Sequence, residues 1–340
     1  MPSVDIVIPN YNYGRYLRAC AESVLTQDFD NLRLLIVDNG STDESPAVAR
    51  KLAAADPRVE LLLRPTNIGP HASFNDGIDW AKGDYFVLLF ADDFLAPGAL
   101  RRAVEIMERE RSLAFTYGRD VAIQGDDVVP EIAGMDGAIA YRAETGEAFI
   151  ERFCRLGVFQ LPGPSIVVRT CAQKAAGHYI EALPHSDDYH MWLRLALQGE
   201  VAELDCIQAG IRSHGQNRSQ ELRDRQLLHI RHTADAGEYF FAHEARVLPN
   251  CEALRRLARR GIAERAYWSA VSHVLRGSPG ARELFTFAVS MRPQTALVPP
   301  VGYLLHRPDT RRRVQSLLAR LIRTGNRDRD RGTAEPQFRC

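Results

Sequence analysis

Two stretches decide the fold: VDIVIPNYN at residues 4–12 and LRLLIVDNGSTDES at residues 32–45. Each begins as a run of apolar residues and ends in a turn of Asn, Asp, Gly and Ser, which is typical of a buried strand followed by a loop. Between them Leu17, Cys20, Ala21 and Val24 fall at helical spacing. A buried strand, a helix and a second buried strand predict a parallel sheet covered by helices on both faces.

The same alternation continues towards the carboxyl terminus. Strands are expected at 59–63 and 85–90, and helices from Ser45-Pro46 onward, at 72–81 and at 97–110. Further on, the pattern predicts a surface loop at 125–141, a strand at 166–169, a helix at 189–198 and two short strands at 201–204 and 207–212. This part of the chain is therefore expected to be an α/β domain with a mainly parallel sheet.

Length and composition exclude several classes of protein. The chain has 340 residues, 43 Lys plus Arg and 43 Asp plus Glu, so its formal charge is zero. This balance argues against a nucleic-acid binder, and no nucleic-acid partner is expected. The six scattered cysteines favour neither a disulfide scaffold nor a zinc site, and the start, MPSVDIVIPNYN, does not resemble a signal peptide. A cytoplasmic location is therefore expected.

The carboxyl-terminal third has a different character. From Ser219 onward Arg, Ala and Leu dominate, with helical spacing and no clear strands. We therefore predict three parts: a catalytic domain over 1–218, a helical domain over 219–323 and a disordered polar tail over 324–340.

Four polar clusters follow strands one to four: Pro9–Asn12, Asp38–Asp43, Asn67–Pro70 and Asp92–Asp93. Any one of them alone could be an ordinary turn. In a parallel sheet, however, the carboxyl ends of the strands meet at one edge, where ligands bind. Four such clusters at one edge predict a ligand site.

Asp92 and Asp93 provide the sharpest chemical signal. Adjacent carboxylates repel one another and are stabilised by a cation, and oxygen ligands suit Mg²⁺ or Mn²⁺. Such a cation would neutralise a diphosphate leaving group. The alternative is that one of the pair, Asp93 above all, is only a turn residue before Pro97.

The order of these blocks carries a resemblance. IPNYNYGRYL, LLIVDNGSTDES, NIGPHASFNDGI, LLFADDFLAPGAL and, later, HSDDYHMWLRLALQGEV with IRSHGQNRS resemble successive segments of the family 2 glycosyltransferases. The resemblance covers about the first 220 residues. It implies the GT-A fold and an inverting, metal-dependent sugar transfer that uses Mn²⁺ or Mg²⁺.

The resemblance also implies roles for individual residues. The nucleotide-sugar site would comprise Pro9, Tyr11, Asp38, Asn67, Gly69, Asn75 and Asp92, to which Asp93 and Arg212 are added on chemical grounds. Asp92 and His214 would hold the metal, and Asp188 would be the general base. Two positions depart from the family pattern: Phe90 stands where the metal motif has its first acid, and Asn39 where many members have a second aspartate.

Asp188 has a physical case of its own. An inverting displacement needs a base that removes the acceptor's hydroxyl proton on the face opposite the leaving group. The alternative is that Ser186, Asp187 and Asp188 only cap the following helix. Asp187 is the second candidate acid, whereas His71 and His185 are taken as bystanders and Trp192 as a core residue.

The expected substrates are a UDP-sugar donor and a glycan or lipid-linked saccharide acceptor in bacterial surface polysaccharide synthesis, with a hexosyl or N-acetylhexosaminyl group transferred. Two alternatives stay open. A nucleotidyltransferase should carry a glycine-rich loop after strand one, where this chain has PNYNYGRY. A catalytically degenerate assembly subunit is suggested by Phe90.

A basic amphipathic stripe lies near the carboxyl terminus. Val314, Leu317, Leu318, Leu321 and Ile322 share one face, with arginines around them. Such a segment either lies on an anionic membrane surface or packs on neighbouring helices. Packing on neighbouring helices is the first interpretation, and peripheral contact at the inner face of the membrane through 314–322 is the second.

Overall fold

The strands of the described residues form one nine-stranded sheet. The computed structural model describes residues 1–125, 139–157, 160–215 and 225–306. Its strands are β1 (Val4–Asn10), β2 (Leu32–Asp38), β3 (Val59–Leu63), β4 (Tyr85–Leu88), β5 (Phe94–Leu95), β6 (Leu113–Gln124), β7 (Tyr141–Glu144), β8 (Val167–Arg169) and β9 (Glu200–Ser213).

The helices are α1 (Gly14–Leu25), α2 (Ser45–Ala55), α3 (Pro70–Trp80), α4 (Ala99–Arg109), α5 (Gly146–Leu156), α6 (Thr170–Ala176), α7 (Asp187–Ala196), α8 (Gln226–His243), α9 (Cys251–Arg276), α10 (Ala281–Met291) and α11 (Val301–His306). The predicted strands and helices of residues 1–110 are all present, with ends shifted by a few residues. The predicted loop at 125–141 falls mostly on residues outside the described ones, and its last residue begins β7.

The sheet is parallel where the sequence pattern predicts it. The strand order is β3-β2-β1-β4-β8-β6-β9-β5, with β7 paired to β9. β1 runs parallel to β2 and β4, and β2 parallel to β3. In this register Asn10 lies opposite Asp38, the last residues of their strands, so the first two polar clusters are neighbours.

Beyond β4 the sheet becomes mixed. β8 pairs antiparallel with both β4 and β6, and β6 runs parallel to β9. β9 is one strand where two short ones were predicted. The register with β6 shifts between Leu204 and Ile207, so Asp205 and Cys206 form an irregularity in β9. The sequence pattern predicts the end of one strand and the start of another at these residues. The continuous strand carries Arg212 to the same edge of the sheet as the polar clusters.

Alternating residues of each strand face two apolar layers, as strand geometry requires. Ile6, Ile8, Leu34 and Ile36 belong to one layer. The second layer includes Val7 of β1 and is completed by aromatic side chains, among them Phe115, Phe149, Phe153 and Trp192. Trp192 is therefore a core residue, as expected from its helical spacing.

The part that follows β9 is helical over residues 225–306, as predicted. Phe240 of α8 and Leu254 of α9 join the apolar layer that contains Phe149. The backbones of α9 and α5 approach closely, since a Cβ at Gly261 would lie 2.1 Å from the Cys154 carbonyl oxygen. The first helices of this part thus share a core with the α/β part.

Three predictions concern residues outside the described ones: the domain boundary near 218, the tail at 324–340 and the stripe at 314–322. They stay predictions. Among the described residues, no helix combines the length and apolar character needed to cross a membrane.

Candidate functional site

The carboxyl ends of β1 and β2 form the first wall of the site. Asp38 is 1 % exposed, and its carboxylate accepts hydrogen bonds from Asn10 Nδ2 at 2.8 Å and from the Ser41 backbone N–H at 3.1 Å. Asn10 Oδ1 is buried and has no hydrogen-bond partner among the described residues. Pro9 is buried inside β1, whereas Tyr11 is 42 % exposed at the rim. Tyr11 is thus the side chain of this wall that a planar base can reach.

Asn39 connects the β2 edge to the loop before α3. Its Nδ2 donates to Asn67 Oδ1 at 2.8 Å and to the Gly69 carbonyl at 2.9 Å, and its Oδ1 accepts from Arg64 at 3.1 Å. Gly69 has a φ of 92°, a conformation that favours glycine. An aspartate at position 39 has no N–H to donate and could not make the first two bonds. Asn39, which stands where many members of the family have aspartate, therefore makes a link to the loop before α3 that an aspartate could not make.

Asp92 and His214 face each other. The carboxylate Oδ2 of Asp92 lies 3.2 Å from His214 Nε2, and the two side chains are 10 % and 4 % exposed. The His214 ring stacks on Tyr16 at 5.0 Å between centroids and meets the edge of Tyr13 at 5.4 Å. Tyr13 and Tyr16 thus fix the plane of the imidazole.

This pair fits a divalent cation. Two ligands in adjacent positions around one octahedral ion, each about 2.1 Å from it, lie about 3 Å apart, close to the separation observed. Carboxylate oxygen with imidazole nitrogen is a donor set that suits Mn²⁺ better than Mg²⁺. Among the described residues no group of three His, Cys, Asp or Glu side chains could enclose a metal. A cation here would need oxygens from a bound ligand or water as well.

The Asp93 carboxylate contacts the backbone of β9. Its Oδ1 accepts the backbone N–H of Arg212 at 2.9 Å and so anchors the end of β9 beside the Asp92 turn. Burial, followed by the neighbouring Asp92 charge, raises the pKa of Asp93 well above its usual range. The Arg212 guanidinium donates to the Gly125 carbonyl at 2.8 Å and lies 4.9 Å from the centre of the Tyr16 ring. Arg212 and His214 therefore both contact the Tyr16 ring.

Asp188 lies in the first turn of α7 and is half-buried. It lines a largely apolar cavity together with Phe90, Tyr179 and Trp192. Burial raises the pKa of Tyr179 well above its usual range, and the charge of Asp188 and a hydrogen bond to it add to the shift. The phenol therefore stays protonated beside the carboxylate.

Asn75 connects two parts of the chain, and its assignment to the donor pocket stays a prediction. Its Nδ2 donates to the Tyr179 carbonyl at 3.1 Å, and its Oδ1 accepts the Tyr179 backbone N–H at 2.8 Å. The side-chain amide thus ties α3 to the segment before α7. This contact positions the wall that holds Asp188.

Sequence reasoning gave no role to Asn10, Tyr13, Tyr16, His71 and Tyr179, and it noted Asn39 only as a departure from the family pattern. His71, taken as a bystander, contacts Asp187. The only signal for Tyr13 and Tyr16 was their spacing of three, which puts them on one face of a helix start. Nothing in the local pattern indicated Tyr179, because Asn75, which holds its backbone, is more than a hundred residues away in the chain.

Comparison with known proteins agrees with this geometry. Residues 5–160 match the family model described as Glycosyl transferase family 2. An uncharacterized glycosyltransferase of Haemophilus influenzae is 38 % identical over 118 residues, 35 % of this chain and 47 % of that protein. Chondroitin synthase of Pasteurella multocida is 28 % identical over 228 residues, 66 % of this chain and 22 % of the synthase. The matched part is thus less than half the length of either relative.

Two solved structures resemble the whole described chain. S. aureus TarS 1–349 in complex with UDP has a TM-score of 0.60 at 15 % identity, covering 91 % of this chain and 87 % of that one. The mannosyltransferase PcManGT from Pyrobaculum calidifontis, in complex with GDP-Man and Mn²⁺, has a TM-score of 0.54 at 16 % identity, covering 90 % and 85 %. At these identities the likeness shows the fold. Family match, relatives and fold agree: residues 5–160, a little under half of the chain, match the family 2 glycosyltransferases, and the described chain has the GT-A fold.

Proposed function

We propose that this protein transfers a sugar from a nucleotide sugar to a hydroxyl group of a saccharide, with inversion at the anomeric carbon and with Mn²⁺ or Mg²⁺ as cofactor. One observation carries the proposal. Asp188 and Phe90 line a single cavity, and Asp92, two residues beyond Phe90, faces His214. The cavity that Asp188 lines thus ends, at Phe90, two residues from the Asp92 of the cation-binding pair, and an in-line displacement would place the acceptor and the leaving group between them.

The donor would occupy the carboxyl edge of β1 and β2. Tyr11 is exposed there for contact with the base, and Asp38 is held by Asn10 beneath it. Arg212 lies beside the cation-binding pair, where a guanidinium can bind phosphate oxygens. We assign UDP as the nucleotide, because the TarS structures contain UDP and UDP-GlcNAc.

Asp92 and His214 would hold the cation through one oxygen and one nitrogen. When bound, a divalent cation neutralises the charge that develops on the leaving diphosphate. Asp93 anchors the end of β9 beside this pair, and the Tyr16 ring stacks on the His214 imidazole.

Asp188 would accept the proton of the acceptor hydroxyl. As the acceptor oxygen bonds to the anomeric carbon, the bond from that carbon to the diphosphate oxygen breaks, and the proton moves to the Asp188 carboxylate. The protonated Tyr179 phenol beside it restricts the orientation of the carboxylate. Because the displacement is single, the anomeric configuration inverts.

The acceptor is proposed to be a glycan or a lipid-linked saccharide in bacterial surface polysaccharide synthesis. The similarity to chondroitin synthase and hyaluronan synthase supports a polysaccharide. We propose that the reaction takes place in the cytoplasm at the inner face of the membrane, with 314–322 as the contact. Deleting the residues after Pro308 should then reduce co-sedimentation with anionic vesicles at low salt. Equal pelleting of both forms would favour packing on neighbouring helices.

The decisive experiment combines a panel of UDP- and GDP-sugars with saccharide acceptors and measures the nucleoside diphosphate released, with Mn²⁺ and with a chelator. We expect Mn²⁺-dependent release from one UDP-sugar and a product of inverted configuration by NMR. UDP binding without transfer or hydrolysis would indicate the degenerate assembly subunit. Pyrophosphate released from a nucleoside triphosphate and a sugar phosphate would indicate a nucleotidyltransferase instead.

A further inference from the structure

A buried histidine contacts the acid next to the proposed base. Nε2 of His71 lies 2.8 Å from Oδ2 of Asp187, and the two side chains are 9 % and 7 % exposed. His71 is the second residue of α3 and Asp187 the first of α7, so the contact joins the amino-terminal ends of two helices 116 residues apart in the chain. The edge of the imidazole packs on Phe74 at 5.8 Å between ring centroids.

The start of α7 lacks the cap that its sequence suggests. Ser186 precedes the helix, but its side chain makes no capping hydrogen bond. Its Oγ is buried with no partner among the described residues. Since the first turn of a helix leaves backbone N–H groups unsatisfied, an uncapped start is free to fray unless tertiary contacts hold it.

α3 supplies such contacts. His71 and Asn75 are four residues apart and so lie on the same face of the helix. Asn75 holds the Tyr179 backbone through two hydrogen bonds, and His71 meets Asp187 eight residues further on. The segment between them ends in the turn that presents Asp188 to the cavity.

We propose that His71 is a positioning residue: by binding Asp187 it fixes the first turn of α7 and thereby aims the Asp188 carboxylate into the cavity. The proposal rests on the proposed function, because it assigns His71 a task in the same transfer reaction.

The test compares His71→Ala, His71→Gln and a matched control, His178→Ala. His178 contacts Asp79 at the same 2.8 Å and joins the end of α3 to the segment before α7, but its side chain is 50 % exposed. A misplacement of about 1 Å can cost roughly 100-fold in rate. We therefore expect His71→Ala to lower kcat by ~10- to 100-fold, with donor KM and UDP affinity within about twofold of wild type. His71→Gln, which still reaches Asp187, should regain most of the loss, and His178→Ala should show none.

Hydrogen exchange of α7 gives a second readout that does not depend on activity. The His190 N–H donates to the Ser186 carbonyl at 3.0 Å and reports on the first turn. Its exchange should accelerate in His71→Ala but not in His71→Gln or His178→Ala. If His71→Ala melts below the assay temperature, His71→Asn, which is too short to reach Asp187, replaces it with the same expectation.

The outcomes separate the two proposals. Wild-type kcat in His71→Ala, no recovery in His71→Gln, or UDP affinity that falls in parallel with kcat would overturn the positioning role. If the wild-type protein transfers no sugar, the proposed function fails. The exchange experiment then still decides whether His71 fixes α7, because unchanged exchange in His71→Ala would refute it.

Discussion

Replacing Asp188 by asparagine removes the proton acceptor while changing little else. The amide has the same shape and keeps an oxygen that can accept the hydrogen bond from the Tyr179 phenol. Asp188 is half-buried in the first turn of α7, outside the two main apolar layers. The folded structure should therefore survive the substitution.

The cavity sets the expected magnitude. Loss of general-base assistance costs ~10²- to 10⁴-fold in rate, which corresponds to about 2.7 to 5.4 kcal/mol of barrier. Phe90 and Trp192 make the surroundings of Asp188 largely apolar, so water is a poor substitute for the missing carboxylate. We expect a loss in the upper part of that range, about 10³-fold or more.

The assay measures two quantities on the same preparation: UDP released in the presence of an acceptor, and UDP affinity with Mn²⁺ by calorimetry. Donor and cation contacts are assigned to other residues, so UDP affinity should stay within about twofold while transfer falls. Asp79→Asn, the same change at an exposed carboxylate of α3, is the control and should leave both unchanged. Transfer within tenfold of wild type would refute Asp188 as base, and a parallel loss of UDP affinity would place it in the donor site instead.

Three further outcomes are expected. Asp92→Ala should abolish the tightening of UDP binding by Mn²⁺ in calorimetry while thermal melting stays cooperative; intact metal dependence would remove Asp92 from the cation site. Gly261→Ala should lower the free energy of unfolding in urea by about 1–3 kcal/mol, because its Cβ would meet the Cys154 carbonyl oxygen. The control Gly237→Ala, with open space around the new methyl group, should be neutral or stabilising. Similar effects of both substitutions would contradict the close approach of α9 to α5. Burial and nearby positive charge lower the pKa of His229 to about 4, so the unfolded chain binds this proton first and the free energy of unfolding should fall by up to about 3 kcal/mol between about pH 6.5 and pH 4. A His229→Gln variant should show a shallower decline, and an identical decline would refute the buried neutral histidine.

The sequence by itself determined the parallel half of the sheet and the position of the site. Strands such as Ile6–Ile8 and Leu34–Val37 are apolar on both faces, and that pattern is sufficient for a buried parallel strand. Once the strands are parallel, their carboxyl ends share one edge, so the turns at Asp38 and Asp92 had to meet there.

The β6 strand and the continuity of β9 were not foreseen. β6 is LAFTYGRDVAIQ, in which a buried apolar half is followed by a charged half, and neither half has a decisive period. The irregularity at Asp205 and Cys206 interrupts the alternation along β9. Pairing between strands decides these cases, because hydrogen bonds to a neighbouring strand stabilise residues that local preference leaves undecided.

Only the tertiary structure decided what each polar residue does. Asp92 and Asp93 are adjacent and chemically identical in the sequence, yet one faces His214 and the other holds the backbone of Arg212. Asn75 was assigned to the donor pocket and His71 was taken as a bystander, yet both contact the segment that carries Asp188. A side chain's role depends on which partner lies within about 3 Å, and those partners lie a hundred residues away along the chain, where no local pattern can record them.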